Sequence, residues 1–453
     1  MTDLLDPQPS EASTSPGLAS AQARSTHYRY AVLMVLMLVY AFNFLDRQIL
    51  SILNEPIKNE LRLSDSEMGL LQGLAFALFY TTFGIPIAWL ADRFNRVRII
   101  AISCALWSLC SAACGLVGNF AQLALARIGV GVGEAGGSPP AHSIISDYFA
   151  PSERGMALAI YSMGIAIGPA MGAAVGGWVA AHWGWRMAFF AAGLPGILVA
   201  LIVLTAVREP QRARLDSAQS QLLAVGKVGL IEVVRDFAKN PALGLTALAT
   251  GLCAFIGYGF GAWVPAMLIR TKGMNLSEIA IYYSIASGIL TAAGTLGSGA
   301  LVDWAGKRSA KVYALLPAFA FALSLPFFLA TLVAHTWQGA LAFLTVPLLL
   351  TNTFLAPALA VVQNSVPANR RSVASALLFF VLNLIGLGGG PLFVGFVSDE
   401  SVARFGQDSL LVGLAALAPF FLLTVGVLLL SAKYLDRPNT GPDQSGTEVV
   451  PGG

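Results

Sequence analysis

Apolar runs of about 20 residues or more recur twelve times along this chain, each long enough to cross roughly 30 Å of hydrocarbon as a helix. They fall at residues 29–54, 67–91, 97–117, 120–148, 154–181 and 186–207, then at 242–270, 277–303, 309–333, 337–364, 370–397 and 407–434. In a bilayer the backbone must satisfy its own hydrogen bonds, so runs of this length are helical. The expected fold is an all-α membrane protein with twelve transmembrane helices. Only 11% of residues are charged, against about a quarter in soluble domains, so each charge inside a run needs an explanation.

The cations orient the chain. Of the 27 Lys and Arg, nineteen lie at the termini, in the even-to-odd connections or in the central loop; six lie on the opposite side and two inside the runs. The positive-inside rule then puts both termini in the cytoplasm. Residues 1–27 and 435–453 read as disordered tails, leaving bundles at 28–207 and 242–434 joined by a basic cytoplasmic linker, 208–241. Within the linker, "QLLAVGKVGLIEVVRDFAK" reads as an amphipathic helix on the membrane surface. Cys104, Cys110, Cys114 and Cys253 fall inside apolar runs without metal-ligand spacing and read as packing residues. No metal or cofactor, no nucleic-acid partner and no enzymatic constellation is expected.

Four charges lie deep in the membrane. "LALARIGVGVGEAGG" carries Arg127 and Glu134 seven residues apart, on one helix face at about 10 Å separation. "YAFNFLDRQIL" carries Asp46 and Arg47, which point about 100° apart on their helix. A charge at the bilayer centre costs at least about 2.5–3.5 kcal/mol and usually marks a cavity or a partner. A proton-coupled carrier needs a carboxyl that is neutral in one state and charged in another. Glu134 is the first candidate, because Gly131 and Gly133 are expected to leave it room, and Asp46 the second. Arg47 and Arg127 stay protonated and suit a phosphate or carboxylate. The competing reading is a fixed ion-pair network pinning spans 1 and 4. The second half holds only neutral groups at depth, among them Tyr258, Tyr282, Tyr283, Asn352 and Asn383. Tyr258 and Asn352 are the candidates there for substrate contact, with Phe255, Phe260, Trp263, Phe354, Phe379 and Phe380 as apolar lining. His142 follows Pro139–Pro140 at an expected kink and reads as a hydrogen-bonded packing histidine.

The chain repeats itself. "AWLADRFNRVR" follows span 2 and "GALVDWAGKR" follows span 8, so Asp92, Arg93 and Arg96 correspond to Asp303, Lys307 and Arg308. These clusters are expected to latch the cytoplasmic gate, with Arg93 and Arg96 pairing across the seam between halves. The glycine-rich "GYGFGAW" (Gly257–Trp263) and "IGLGGGP" (Ile385–Pro391) are expected hinges.

With these motifs the chain resembles the major facilitator superfamily over nearly its whole length. The resemblance rests on the loop after span 2 and its repeat, on "RIGVGVGEA" in span 4, on "GIAIGPAMG" in span 5 and on "PSERG" at Pro151–Gly155. "FNFLDRQIL" with "GVGEAG" is similar to the Spinster-like branch, whose animal members move lysophospholipids and sphingosine phosphate. The resemblance implies two six-helix pseudo-symmetric bundles rocking about a central site. It implies Asp46 and Glu134 as the protonatable pair, with Arg47 and Arg127 as headgroup or coupling partners. Proton-coupled antiport of an amphiphilic lipid-like substrate is the expected function, in a monomer of the bacterial inner or plasma membrane. A proton-coupled organic-anion symporter and a multidrug exporter are the alternatives.

Overall fold

A computed structural model describes residues 16–212, 240–306, 308–366 and 370–435, together with 234, 235, 237 and 239. Most of the expected linker helix lies outside the described residues, as does Lys307. The described residues are helical, joined by short turns. Ten continuous stretches are long and apolar enough to cross a membrane. Two features reconcile this with twelve runs. Val373–Leu435 covers both of the last two, and the fourth run is broken into Phe120–Glu134 and Ser138–Tyr148.

That break lies where glycine weakens a helix and proline starts one. Gly136 and Gly137 sit in the turn, and Pro139 and Pro140 open the following helix, where a missing N–H costs little. The eleventh run keeps its helix through wider π-type turns at Leu382–Gly389. The seventh does not hinge: Gly257–Trp263 lies inside the unbroken helix Pro241–Arg270. The glycines expected to bend these spans let them touch instead. A Cβ on Gly390 would meet the Phe255 carbonyl oxygen at 2.4 Å, and one on Gly386 would meet the Ala254 side chain at 2.3 Å.

Spans 1 and 5 pack along a stripe of small residues, the close approach that holds membrane helices together. Hypothetical Cβ atoms at Gly164, Gly168, Gly172 and Gly176 would meet Ala41, Leu45 and Ile49 of span 1 or their near neighbours at 2.4–2.9 Å.

The core is divided unevenly. One cluster joins both halves on the side away from the termini, from Ile49 and Leu53 to Trp263 and Met267. Toward the termini the halves keep largely separate cores, around Trp107, Val130 and Tyr161 in the first and Leu243, Val362 and Leu378 in the second. The shared core thus lies on the far side, and toward the termini Leu387 and Tyr258 of the second half join the first half's core. Phe255, Phe260 and Trp263 belong to the joined core rather than to a lining surface, and Trp263 donates its indole N–H to the Pro391 carbonyl at 2.9 Å.

Candidate functional site

The deep charges meet where spans 1, 2 and 4 converge. Span 4 reaches span 2 because Gly131 lies against backbone: a Cβ there would sit 2.9 Å from the Phe76 carbonyl oxygen. Gly133 likewise lies against the Trp107 backbone, at 2.7 Å. These glycines bring helices together around Glu134. They do not open space for it, as the sequence pattern suggested.

Arg47 donates from Nε to Glu134 Oε2 at 2.7 Å. Its guanidinium lies 5.0, 4.7 and 4.8 Å from the ring centroids of Phe44, Phe76 and Tyr80. Cation–π contact of this kind is worth more when desolvated, so the rings hold Arg47 even if its carboxylate partner leaves. Asp46, one residue earlier, points elsewhere and accepts from Ser111 Oγ on span 3 at 2.7 Å. The 100° offset thus divides the work: Arg47 faces span 4 and Asp46 a helix contact.

Burial is graded. Asp46 and Glu134 are 1% exposed and Arg127 is 2% exposed, whereas the Arg47 side chain is 15% exposed. Arg127 lies within Coulombic reach of both carboxylates and 5.4 Å from the Phe76 ring. Its buried Nε and Nη1 make no hydrogen bond to the described residues, nor does Glu134 Oε1. Unsatisfied charged groups cost about 1–3 kcal/mol or more each, so this cluster has capacity for water, a proton or a ligand group. Tyr258 of the second half is an electrostatic neighbour of Arg47 and packs on the first half's core. Asn352 lies apart from this hydrogen-bond network; its amide donates to the Leu348 carbonyl at 3.0 Å.

An apolar crevice opens between spans 5 and 8, and none of the four deep charges is among its lining residues. It has a volume of about 610 Å³, and its walls include Met163, Ile167, Met171, Ile285, Ile289 and Ala292. It begins next to Tyr161, which stacks on Tyr40 at 4.4 Å between centroids. Toward the far side the same two spans close, with Gly177 against Leu276 and Ala280.

Sequence reasoning missed a lock on the far side. Arg270 of span 7 pairs with Asp65 by two bonds, at 2.7 and 2.8 Å, and with Glu55 at 2.6 Å. Asp65 also takes Lys58 at 2.5 Å and the Ser398 hydroxyl at 2.6 Å. The Asp399 carboxylate of span 11 accepts from the Asp65 and Ser66 backbone N–H groups at 2.9 and 2.7 Å. This caps the helix Asp65–Gln72 of the opposite half at its positive end. The only sequence signal was a set of cations at span ends, which reads equally well as topology.

The termini-side motif differs from expectation. Arg96 does not pair across the seam. It is buried within the first half and binds Asp147 at 2.6 Å, Glu209 at 2.7 Å and the Ser143 hydroxyl. Arg93 stacks on Trp89 at 3.7 Å, and Arg308 repeats this on Trp304 at 4.7 Å. The exposed Asp92 offers its backbone carbonyl to Arg212. The Asp303 side chain lies outside the described residues. Removing a buried cation from between two carboxylates typically costs about 3–5 kcal/mol. Arg96→Ala is therefore expected to lower the melting temperature of the purified protein sharply; an unchanged melting curve would argue against a structural role.

His142 also departs from expectation. Its imidazole is exposed, meets Tyr161 edge-on at 5.2 Å between centroids, and makes no side-chain hydrogen bond among the described residues.

Comparison with known proteins gives this geometry a lineage. The Major Facilitator Superfamily model matches residues 36–391. A bacterial homologue of the human lysosomal transporter Spinster, solved inward-facing and unoccupied, is 31% identical, with a TM-score of 0.81 over 91% of this chain and 99% of that one. An MFS-type efflux pump of Mycolicibacterium smegmatis is 31% identical over 84% of this chain and 87% of its own. A hexuronate transporter of Bacillus subtilis is 26% identical over 85% and 92%. The chain belongs to the Major Facilitator Superfamily as a Spinster-like integral membrane transporter, not an enzyme.

Proposed function

We propose that this transporter exchanges protons for an amphiphilic, lipid-like cargo with a zwitterionic headgroup, such as a lysophospholipid. The observation that carries this reading is a buried ion pair linked to an apolar crevice through one helix: span 5, which packs along span 1 and its Arg47, forms one wall of the crevice. A headgroup phosphate suits Arg47, the partly exposed member of the pair, and its ammonium suits Glu134, whose side chain is fully buried here and must be uncovered by movement of spans 1 and 4 before cargo reaches it. The chain of the lipid then has the crevice between spans 5 and 8. Arg127, which is sealed, balances the two carboxylates rather than gripping cargo, and Asp46 is the second proton site. Tyr258 closes the site from the second half. Asn352 is retained only as a more distant contact. Asp92, Arg93 and Arg308 line the gate on the termini side, which the cation distribution assigns to the cytoplasm. The transporter works as a monomer, the two halves rocking about this site.

The same chemistry sets the direction of coupling. A proton on Glu134 removes the partner of the cargo's ammonium, so proton and cargo exclude each other, which is antiport. Cargo affinity should then fall as pH falls. A purely anionic cargo gives the reverse: it competes with Glu134 for Arg47, the orphaned carboxyl takes up a proton, and both travel together. The hexuronate relative favours keeping this symport as a second reading.

The test is binding of a long-chain lysophosphatidylcholine and of a hexuronate to purified protein at two pH values. Lysolipid binding that weakens in acid is expected. Hexuronate binding that strengthens in acid, without lysolipid binding, would establish the symport reading instead. Ala292→Trp, which fills the crevice, is expected to weaken lysolipid binding about tenfold, roughly 1.4 kcal/mol, and to leave hexuronate unaffected. Undiminished lysolipid binding to that variant would remove the crevice from the site.

A further inference from the structure

We infer that His142 is the acceptor through which Glu134 exchanges its proton with the termini-side solution, by way of the hydroxyls of Ser138, Tyr40 and Tyr161. The inference rests on the proton-coupled reading above. It begins from a register: Glu134, Ser138 and His142 lie four residues apart in succession along span 4. The chain keeps helical turns through the break between them, with the Gly137 N–H bonded to the Glu134 carbonyl and the Ala141 N–H to the Gly137 carbonyl. Ser138 and His142, four apart in one helix, share a face at a rise of about 6 Å, and Glu134 lies across the Ala135–Gly137 turn, whose bonds tighten to three-residue spacing. Burial falls along this stripe: Glu134 is sealed, Ser138 half-buried and His142 exposed. The stripe therefore leads from the deepest carboxyl toward the exposed, termini-side end of span 4.

Neighbouring helices supply hydroxyls along it. Tyr161 of span 5 is buried against His142, and Tyr40 of span 1 stacks on Tyr161. Both tyrosines lie beside the Ser138 side chain, and Tyr40 also neighbours Tyr80, Tyr258 and Arg47. A hydroxyl both accepts and donates, so it passes a proton on without keeping a charge. The remaining charged groups near this end of span 4 are engaged elsewhere. Arg154 donates to the Ser146 and Phe149 carbonyls, and Arg96 holds Asp147. The Ser146 hydroxyl donates to the His142 carbonyl and leaves the ring free.

The transfer balances simply. The Glu134 carboxyl, which neighbours Arg47 and Asn43, gives up its proton across the turn to the Ser138 hydroxyl and becomes the carboxylate that Arg47 holds. Each hydroxyl takes one proton and yields one, and a ring nitrogen of His142 becomes imidazolium, then discharges to water. Histidine suits the last position because its ring carries one nitrogen that accepts a proton and one that donates.

The experiment is pH-gradient-driven lysolipid transport by His142→Gln in proteoliposomes, with cargo binding measured on the same protein. A relay changes rate and not equilibrium. Coupled transport is therefore expected to fall at least fivefold while cargo affinity and its pH dependence stay as in wild type. Free imidazole added on the termini side is expected to restore transport. Wild-type rates in His142→Gln, or a loss that accompanies weakened binding and resists imidazole, would overturn the relay. Glu134→Gln serves as the separate control. If that variant retains coupled transport, the proton-coupling reading itself fails; if only His142→Gln does, the fault lies with the relay alone.

Discussion

Glu134→Gln is expected to abolish transport driven by a pH gradient, reducing it by about 100-fold, the upper range of coupling between two sites. Glutamine has the shape of the protonated acid and cannot release a proton. Its amide oxygen can still accept from Arg47 Nε, and the rings of Phe44, Phe76 and Tyr80 still hold the guanidinium. The melting temperature should consequently stay within a few degrees of wild type, while cargo binding becomes weak and indifferent to pH. Coupled flux at the wild-type rate would show that Glu134 only ties span 1 to span 4. A collapse of the fold would lead to the same conclusion, since the pair would then be structural.

The second large effect concerns the far-side lock. Asp65 is the hub of that network, with Arg270, Lys58 and Ser398 all on its carboxylate. Asp65→Ala removes those bonds at once and leaves Arg270 with Glu55 alone. Breaking one member of a buried pair typically costs about 3–5 kcal/mol. Most of that loss falls on the closed state, because the partners separate when the far side opens. A shift of about 3 kcal/mol is more than 100-fold in the balance of states, enough to turn a rare open form into a populated one. Spin labels on the exposed Asn59 and Gln407 should report it as a longer far-side distance distribution in Asp65→Ala than in wild type. Identical distributions would mean that the hydrophobic core around Ile49 and Trp263, not the ion pairs, keeps this side shut.

The lock also shows where reading a sequence runs out. Twelve spans, the repeat and the four deep charges follow from run length, hydropathy and the cost of a charge in lipid, all of them local properties. The angle between Asp46 and Arg47 is local too, and it anticipated their separate partners. Asp65 meets Arg270 and Asp399 across more than 200 residues. Nothing in the local pattern distinguishes such a partner from a cation that merely sets topology. Arg96 was misread for the same reason: its basic loop suggested pairing across the seam, while its actual partners, Asp147 of span 4 and Glu209 just past the end of span 6, bury it within the first half's end. The glycines of span 4 illustrate a second limit. A missing side chain signals that something comes close, without saying whether it is cargo or a neighbouring backbone.

The seam of glycines between spans 1 and 5 has a mechanical corollary. Span 5 touches the span 1 backbone at Gly164, Gly168 and Gly172 and the Ile49 side chain at Gly176, so the two helices cannot slide or part without losing these contacts together. Span 1 carries Arg47, and span 5 forms one wall of the crevice. Whatever wedges that wall outward must drag the guanidinium with it, unless span 5 yields at Met163, where its helix is interrupted. An acyl tail could therefore tug on the ionic centre from a distance, as a handle turns a bolt it never touches.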